Sequence, residues 1–313
     1  MTRSPAPRSM MLTGATSNRL RADVFGDEGE PVLLLHGGGQ TRHAWRNAAA
    51  QLARAGWVAY ALDQRGHGDS EWVESGAYTF CDFAADAATV ADELAARHGM
   101  RPVSVGASLG GIASLMAEGA AQRAGRAPVF ATLVLVDVTP RVDADGVAKI
   151  RGFMAARARE GFATVAEAAD AVAAYLPHRP RPRSHEGLRK NLRFHPDGRW
   201  RWHWDPRFLD GTHTDPEEVV EREAQLEEAA RGLKTPVLLV RGGASEVVGQ
   251  GHLRQFLALV PHAEYADVAG ARHMVAGDRN DRFAAAMLAF LARFRAGQRP
   301  ASRRFAVETD RPQ

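Results

Sequence analysis

The chain has 313 residues, 45% of them hydrophobic, and its formal net charge at pH 7 is +3. This length and composition fit one large α/β domain with an insertion better than several small domains. The single cysteine, Cys81, excludes an intramolecular disulfide and the Cys-x-x-Cys spacing of zinc and redox sites, so a reducing compartment is expected.

The N-terminal residues and one internal segment are rich in proline and arginine. Residues 1–10 lack the apolar run of a secretory signal, and no later stretch has the length of a membrane span. We therefore expect a disordered leader over 1–10 and a cytoplasmic protein without a membrane partner. The Pro-Arg segment at 178–183 is expected to be a solvated loop, so no nucleic-acid partner is predicted.

Strand and helix patterns alternate over the first part of the chain. Apolar runs at 31–35 and 58–62 predict buried strands, with helical signals over about 45–55 between them. This order indicates a parallel crossover. A second helix is predicted over 79–98 from apolar residues at spacings of three and four, which are Phe80, Phe83, Ala87, Val90 and Leu94.

A Gly-x-Ser-x-Gly motif occupies residues 106–110, between a predicted strand at 101–105 and a predicted helix that begins at Leu109. In this setting the pattern holds the serine on a sharp turn with its hydroxyl exposed, so Ser108 is a candidate nucleophile. The alternative for the bare pattern is a glycine-rich turn in which the serine caps the helix. A catalytic role therefore requires a base, an acid and an oxyanion site elsewhere.

The alternation stops after a buried strand at 131–137, which ends on Asp137. Residues 141–233 are helical in pattern and rich in Ala and Arg, and we interpret them as an inserted cap. Its helices are predicted near 145–159, 165–175 and 216–231. If the stretch before the last helix is extended, its tryptophans share one face and form the core of the cap, the wall of an apolar pocket, or both; they are Trp200, Trp202 and Trp204.

The α/β pattern resumes with a predicted strand at 236–240, followed by a loop that contains Glu246. Next come a helix over 251–259, a strand over 263–268, the sequence Gly-x-x-His that ends on His273, and a helix over 280–294. We assign residues 11–140 and 234–296 to the core and 297–313 to a basic, disordered tail.

Loops that follow parallel strands emerge at one edge of a sheet, where such sheets build their sites. The residues that follow strands in this way are Ser108, Asp137, Glu246 and His273. The order serine, acid, histidine resembles the α/β-hydrolase family, and the resemblance extends over roughly residues 32–294. It rests on four motifs, which are His36-Gly37, Asp63-x-Arg65-Gly66-x-Gly68-x-Ser70, Gly106-x-Ser108-x-Gly110 and Gly270-x-x-His273.

The resemblance implies an α/β-hydrolase fold, with a mostly parallel twisted sheet flanked by helices and an inserted α-helical cap. It implies that Ser108 is the nucleophile and that His273 is the base that takes its proton. It also implies that His36 and His67 brace neighbouring loops.

The family places the triad acid in two alternative positions. Most relatives carry it after the strand that corresponds to 236–240, where this chain has Ser245 followed by Glu246. Others, including fluoroacetate and haloalkane dehalogenases and zearalenone-lactone hydrolases, carry it at the position of Asp137. Asp137 and Glu246 are therefore both candidates for the acid, and the other is expected to brace a loop.

The resemblance also implies an oxyanion hole built from backbone N–H groups. The donors would be Leu109 at the helix start and Gly38, or alternatively Gly39, in the loop after the strand at 31–35. Each donor would stabilise the tetrahedral intermediate by about 3 kcal/mol. The absence of side chains at both glycines predicts room for bulky acyl groups.

Together these features predict hydrolysis of a carboxylic ester or lactone through an acyl-serine, with an apolar part of the small-molecule substrate beneath the cap. No metal or organic cofactor is implied. Relatives that open epoxides or displace halide use an aspartate nucleophile, which the serine at 108 disfavours. Carbon–carbon bond hydrolases and cofactor-free perhydrolases share the serine triad and are alternatives, as is a small-molecule receptor of the same fold.

Overall fold

The structure, a computed structural model, describes residues 7–179, 181, 184–210, 216–278, 280–297 and 304–306. Part of the predicted leader, 1–6, lies outside the described residues, as do 180 and 182–183 of the Pro-Arg segment. Most of the predicted tail, 298–303 and 307–313, also lies outside them.

The first half of the core confirms the predicted alternation and adds an N-terminal hairpin that the sequence analysis missed. Its elements are β1 (Arg8–Thr13), β2 (Arg19–Phe25), β3 (Glu30–Leu35), α1 (Arg46–Arg54), β4 (Trp57–Leu62), α2 (Phe80–His98), β5 (Val103–Ala107), α3 (Leu109–Arg123) and β6 (Leu133–Val136). Because residues 8–10 belong to β1, the predicted leader was too long at its C-terminal end. Only Leu12 of this edge strand is fully buried, which explains its weak sequence signal.

The segment between β6 and the next core strand contains helices and a small hairpin. Its elements are α4 (Ala144–Ala155), α5 (Val165–Tyr175), α6 (Glu186–Arg189), β7 (Leu192–Phe194), β8 (Trp200–Trp202), α7 (Arg207–Asp210) and α8 (Pro216–Arg231). α4 ends before the predicted residue 159, because the chain turns at Arg157, where φ is +58°. The antiparallel β7–β8 pair adds a hairpin to the segment interpreted as a helical cap, and its second strand lies in the tryptophan-rich stretch that was considered as extended.

The second half of the core completes the sheet. Its elements are β9 (Val237–Gly242), α9 (Gln250–Leu259), β10 (Glu264–Val268), α10 (Val275–Asp278), α11 (Asn280–Arg295) and β11 (Arg304–Ala306). β11 pairs with β10 in parallel, so these three residues correct the prediction of a disordered tail over 297–313.

The main sheet has the strand order β1-β2-β4-β3-β5-β6-β9-β10-β11. β1 and β2 are antiparallel to their neighbours, and the pairs from β4 through β11 are parallel. The C-terminal ends of β3, β5, β6, β9 and β10 therefore lie along one edge. This is the edge at which the candidate residues were expected to meet.

The central strands are apolar on both faces because helices cover both faces of the sheet. In β3, Leu33 and Leu35 belong to the hydrophobic cluster on one face, and Val32 and Leu34 belong to the cluster on the other. Side chains that alternate across a strand reach both layers, so the strand reads as a continuous apolar run. The resulting core packs against both faces of the strands that end at the site edge.

Candidate active site

Ser108 occupies the turn between β5 and α3 with a φ of +46°, a conformation that non-glycine residues rarely adopt. A Cβ at Gly106 would overlap the carbonyl oxygen of Gly110, and a Cβ at Gly110 would overlap that of Leu35. The flanking glycines therefore let the strand and helix pass close enough to hold the turn. The Ser108 N–H donates to Val136 O at 3.1 Å, which ties the turn to β6.

Asp137 lies at the end of β6, fully buried, also with a positive φ, of +50°. Its Oδ1 accepts from the Gly242 N–H at 2.9 Å, and its Oδ2 accepts from Ser245 Oγ at 2.5 Å. Its third partner is His273, whose Nδ1 lies 2.8 Å from Oδ2. These three donors offset the cost of burying the carboxylate charge.

The carboxylate of Asp137 fixes the tautomer of His273. Because Nδ1 donates to Asp137, Nε2 is left as the unprotonated nitrogen. The His273 side chain is mostly buried, and both it and Ser108 line the same cavity. A buried carboxylate therefore sets the ring orientation of His273 on the cavity wall that Ser108 shares.

Glu246, the second acid candidate, meets His273 at the backbone instead of the ring. Its Oε2 accepts from the His273 N–H at 3.4 Å, and Glu246 is not among the residues that line the cavity. Ser245, at the position where most relatives carry the acid, donates to Asp137. The sequence analysis noted this position but did not anticipate that its hydroxyl supports the other candidate.

The loop after β3, called the glycine loop here, contains Gly37, Gly38 and Gly39. One candidate oxyanion donor in this loop already donates a hydrogen bond within the protein. The Gly39 N–H donates to His67 Nε2 at 3.1 Å, so it is not available to an oxyanion. Leu109 begins α3, and the first N–H groups of a helix have no partner within the helix. Gly38 and Leu109 lie with Ser108 on the cavity wall.

The space beside the glycine loop is occupied, contrary to the prediction of extra room for acyl groups. A Cβ at Gly38 would lie 3.2 Å from Phe208 Cζ, and a Cβ at Gly39 would lie 2.8 Å from Met154 Cε. Both side chains come from the segment over the sheet edge. They make this part of the cavity apolar and close it from one side.

The cavity has a volume of about 630 Å³ and lies between the sheet edge and the overlying helices. Trp202 and Trp204 line it and stack with their ring centres 5.1 Å apart. Trp200 instead packs 5.0 Å from Phe194, so the three tryptophans do not form one wall. The cavity has the size and apolar lining of a small-molecule site.

Comparisons with known proteins agree with this geometry. A family model described as serine aminopeptidase, S33, matches residues 28–280. Esterase Rv0045c of Mycobacterium tuberculosis is 33% identical over 249 residues, which cover 78% of this chain and 75% of that protein. The chain belongs to the α/β-hydrolase family.

Solved structures share the same fold. A solved structure of the Mycobacterium tuberculosis esterase Rv0045c has a TM-score of 0.70 and 25% identity, covering 93% of this chain and 94% of that one. The structure of E-2-(acetamidomethylene)succinate hydrolase has a TM-score of 0.76 and 22% identity, covering 91% of this chain and 100% of that one. The protein is therefore a hydrolase of the α/β-hydrolase family.

Three buried histidines support the glycine loop of this α/β hydrolase. His36 Nδ1 donates to Gly37 O at 2.8 Å, and His67 Nδ1 donates to Arg65 O at 2.9 Å, which leaves its Nε2 free to accept from Gly39. These contacts confirm that His36 and His67 brace neighbouring loops. Burial lowers the pKa of His36 to about 4 and that of His67 to about 3, so both rings are neutral at pH 7.

His203 is the third buried histidine, and the sequence analysis missed it. Its Nδ1 accepts from the Gly68 N–H at 2.7 Å, and its Nε2 donates to Gly39 O at 3.3 Å. Burial lowers its pKa well below the ordinary value. His203 follows β8, so this residue joins the overlying segment of the α/β hydrolase to the glycine loop. No local sequence pattern marks it.

In the described part of the hydrolase, no group of three or more His, Cys, Asp or Glu side chains could hold a metal ion. Among the same residues, no helix combines the length and the hydropathy needed to cross a bilayer.

Proposed function

We propose that this α/β hydrolase cleaves a carboxylic ester or lactone through an acyl-serine intermediate, with Ser108 as nucleophile, His273 as base and Asp137 as acid. The observation that carries the proposal is the 2.8 Å contact between His273 Nδ1 and Asp137 Oδ2, on the cavity that Ser108 also lines. The esterase activity named for the Mycobacterium tuberculosis relative supports the same reaction class.

In the first half-reaction, Ser108 Oγ attacks the carbonyl carbon while His273 Nε2 takes the hydroxyl proton. The N–H groups of Leu109 and Gly38 would donate to the oxyanion of the tetrahedral intermediate. Collapse of the intermediate breaks the bond to the alcohol oxygen, which receives the proton from His273. In a lactone this alcohol stays attached to the acyl group.

In the second half-reaction, water attacks the acyl-serine carbonyl carbon and gives a proton to His273. The second tetrahedral intermediate then releases the carboxylic acid and returns the proton to Ser108 Oγ. Asp137 offsets the positive charge that His273 gains in both steps. Glu246 is assigned a supporting role at the backbone of the histidine loop, since its carboxylate accepts from the His273 N–H.

The apolar part of the substrate would lie beneath the overlying helices and β8. Trp202, Trp204, Phe208 and Met154 supply apolar surface there, and the cavity of about 630 Å³ matches a small molecule. Because Phe208 and Met154 fill the space beside Gly38 and Gly39, we propose that bulky branched acyl groups are poorer substrates than straight chains.

The test is hydrolysis of p-nitrophenyl esters with straight and branched acyl chains, by the wild type and by Ser108→Ala. We expect Ser108→Ala to lower kcat by a factor of about 10⁶. A fluorophosphonate should transfer its phosphonyl group to Ser108 Oγ of the wild type with loss of fluoride, adding the mass of that group, and should leave the variant unmodified. Turnover that survives in Ser108→Ala would refute the acyl-serine mechanism, and thermal stabilisation by esters without turnover would favour a receptor.

A further inference from the structure

The glycine loop and Gln40 form a β-turn whose backbone bears on the proposed oxyanion hole. The Gln40 N–H donates to Gly37 O at 3.1 Å, and Gly39, the third residue of the turn, has a φ of +73°. A positive φ at this position is typical of a type II turn, which differs from the type I turn by a flip of the central peptide. A Cβ at Gly37 would lie 3.5 Å from Ser108 Cβ, so a flip would redirect backbone donors beside the proposed nucleophile.

The Gly38 N–H is directed by the other end of its peptide. Gly37 O, at that end, accepts from His36 Nδ1 at 2.8 Å and from the Gln40 N–H. Because this peptide bond is trans, its N–H and C=O point in opposite directions. The two hydrogen bonds to Gly37 O therefore fix the direction of the Gly38 N–H, which is the proposed oxyanion donor of this loop.

The next two peptides of the turn are held by histidines from two different segments. The Gly39 N–H, in the central peptide, donates to His67 Nε2 at 3.1 Å, which opposes a flip. Gly39 O, in the peptide that closes the turn, accepts from His203 Nε2 at 3.3 Å. The N–H of that closing peptide belongs to Gln40, so His203 orients the donor that closes the turn. Its effect thus extends through the turn to the Gly38 N–H.

His203 is itself fixed by contacts with the loop after β4. Its Nδ1 accepts from the Gly68 N–H at 2.7 Å, so the proton of the neutral ring lies on Nε2, the atom that contacts Gly39 O. Two residues further on, the Asp205 N–H donates to Gly66 O at 2.8 Å. His203 is only 1% exposed. These contacts hold the imidazole in one orientation against the turn.

Apolar side chains from the segment between β6 and β9, which also contains His203, cover the glycine loop. A Cβ at Gly38 would meet Phe208, and a Cβ at Gly39 would meet Met154. Such contacts limit the space around the turn but are not directional, whereas a hydrogen bond is. His203 therefore supplies an orientation that the apolar packing does not supply.

We propose that His203 is a positioning residue for the oxyanion hole, because its Nε2 holds Gly39 O and thereby keeps the closing peptide and the Gly38 N–H in place. The inference rests on the proposed function and deepens it. The segment between β6 and β9 then contributes to the chemical step through the backbone of the glycine loop, in addition to lining the cavity. Loss of this hydrogen bond should weaken binding of the oxyanion and leave binding of the ground-state ester nearly unchanged.

Two substitutions separate the two hydrogen bonds of His203. The amide of asparagine lies at the same number of bonds from Cβ as Nδ1, and the amide nitrogen of glutamine lies at the same number as Nε2. His203→Asn therefore keeps an acceptor for Gly68, and His203→Gln keeps a donor for Gly39. For a p-nitrophenyl ester we expect His203→Asn to lower kcat about 10- to 100-fold with KM changed less than about threefold, and His203→Gln to lower kcat less than about threefold.

Thermal unfolding of the same variants separates positioning from stability. Each variant loses one hydrogen bond, so both melting temperatures should fall, whereas kcat should fall mainly in His203→Asn. His185→Asn applies the same substitution to an exposed histidine of the same segment and should change neither the melting temperature nor kcat. Equal losses of kcat in the two His203 variants would overturn the positioning role.

A second readout measures stabilisation of the oxyanion. Ser108 Oγ would add to the carbonyl carbon of hexyl trifluoromethyl ketone while its proton passes to His273, which leaves an oxyanion on the bound ketone. The alcohol obtained by reduction of this ketone has nearly the same shape but forms no such adduct. We expect His203→Asn to raise the inhibition constant of the ketone about 10- to 100-fold and that of the alcohol less than about threefold. Equal changes for the two inhibitors would contradict the inference.

The proposed function would fail in a different way. Turnover that persists in Ser108→Ala, or the absence of a ketone adduct in the wild type, would refute the acyl-serine mechanism, whatever the ranking of the His203 variants. Where the adduct forms and Ser108→Ala is inactive, the comparison of His203→Asn with His203→Gln tests the positioning role alone.

Discussion

The two walls of the cavity are built in different ways. On the sheet side, Ser108, Asp137 and His273 follow the ends of β5, β6 and β10, so strand order and short turns fix their positions. On the opposite side, Trp204, Phe208 and Arg222 take their positions from the packing of helices and a short hairpin. The proposed reacting groups thus depend on backbone geometry, and the residues that line the opposite wall depend on side-chain packing.

This difference explains why one scaffold can serve many substrates. Changes on the packed side alter the shape and charge of the cavity while the strand ends keep the reacting groups in register. His203 is one of the points at which the two walls meet, since it contacts Gly68 and Gly39 of the sheet side. The predictions below test how far the walls are independent.

Among the residues that support Ser108, the largest effect is expected at Asp137, the proposed acid of the sheet wall. Asp137→Asn keeps the size of the side chain but replaces a carboxylate oxygen by an amide, which disturbs the tautomer of His273. We expect kcat for a p-nitrophenyl ester to fall by a factor of about 10⁴. Glu246→Gln is the matched control and should lower kcat less than about tenfold, because Glu246 meets only the backbone of the histidine. The reverse ranking would assign the acid to Glu246.

The next largest effects are changes in the free energy of unfolding at two helical glycines, one on each wall of the cavity. A Cβ at Gly110 would overlap Leu35 O, so Gly110→Ala should lower the free energy of unfolding by about 3 kcal/mol. Gly152 lies inside α4 with no atom within 4 Å of a built Cβ, so Gly152→Ala should raise that free energy by about 0.5–1 kcal/mol. Urea unfolding measures both. Equal changes in the free energy of unfolding for the two variants would mean that the turn at Ser108 accommodates a methyl group at Gly110, against the contact with Leu35 O.

The smallest effect concerns the junction of the two walls. Burial lowers the pKa of folded His203 below its ordinary value of 6.5, so the unfolded chain binds a proton that the folded chain does not. The stability from this group is therefore present above pH 6.5 and is lost as the pH falls below it. We expect the unfolding free energy of His203→Gln to fall less steeply than that of the wild type between pH 6.5 and 5, by about 1 kcal/mol per pH unit.

The control for this measurement is His185→Gln, because His185 is exposed. Its unfolding free energy should follow the wild-type pH dependence. A His203→Gln protein with the wild-type slope would show that this histidine does not stay neutral in the folded state.

The sequence by itself determined the α/β order, the serine turn and the histidine loop. These features depend on short segments, namely apolar runs for strands buried on both faces and Gly-x-Ser-x-Gly for a turn that needs close backbone approach. The N-terminal hairpin was not predicted because β1 is an exposed edge strand in which mainly Leu12 is buried. The β7–β8 pair was not predicted because strands of three residues are too short to show an alternating hydrophobic pattern.

The tertiary structure alone decided which carboxylate meets the histidine ring and what fills the cavity. Asp137 and Glu246 both follow strands, so the local pattern does not distinguish them as candidates for the acid. Only the paths of the loops after β9 and β10 bring Ser245 Oγ and His273 Nδ1 to Asp137. Likewise, Phe208 and Arg222 are far from Ser108 in sequence and share its cavity through folding. Contacts between distant segments depend on packing, and packing leaves no periodic signal in a single sequence.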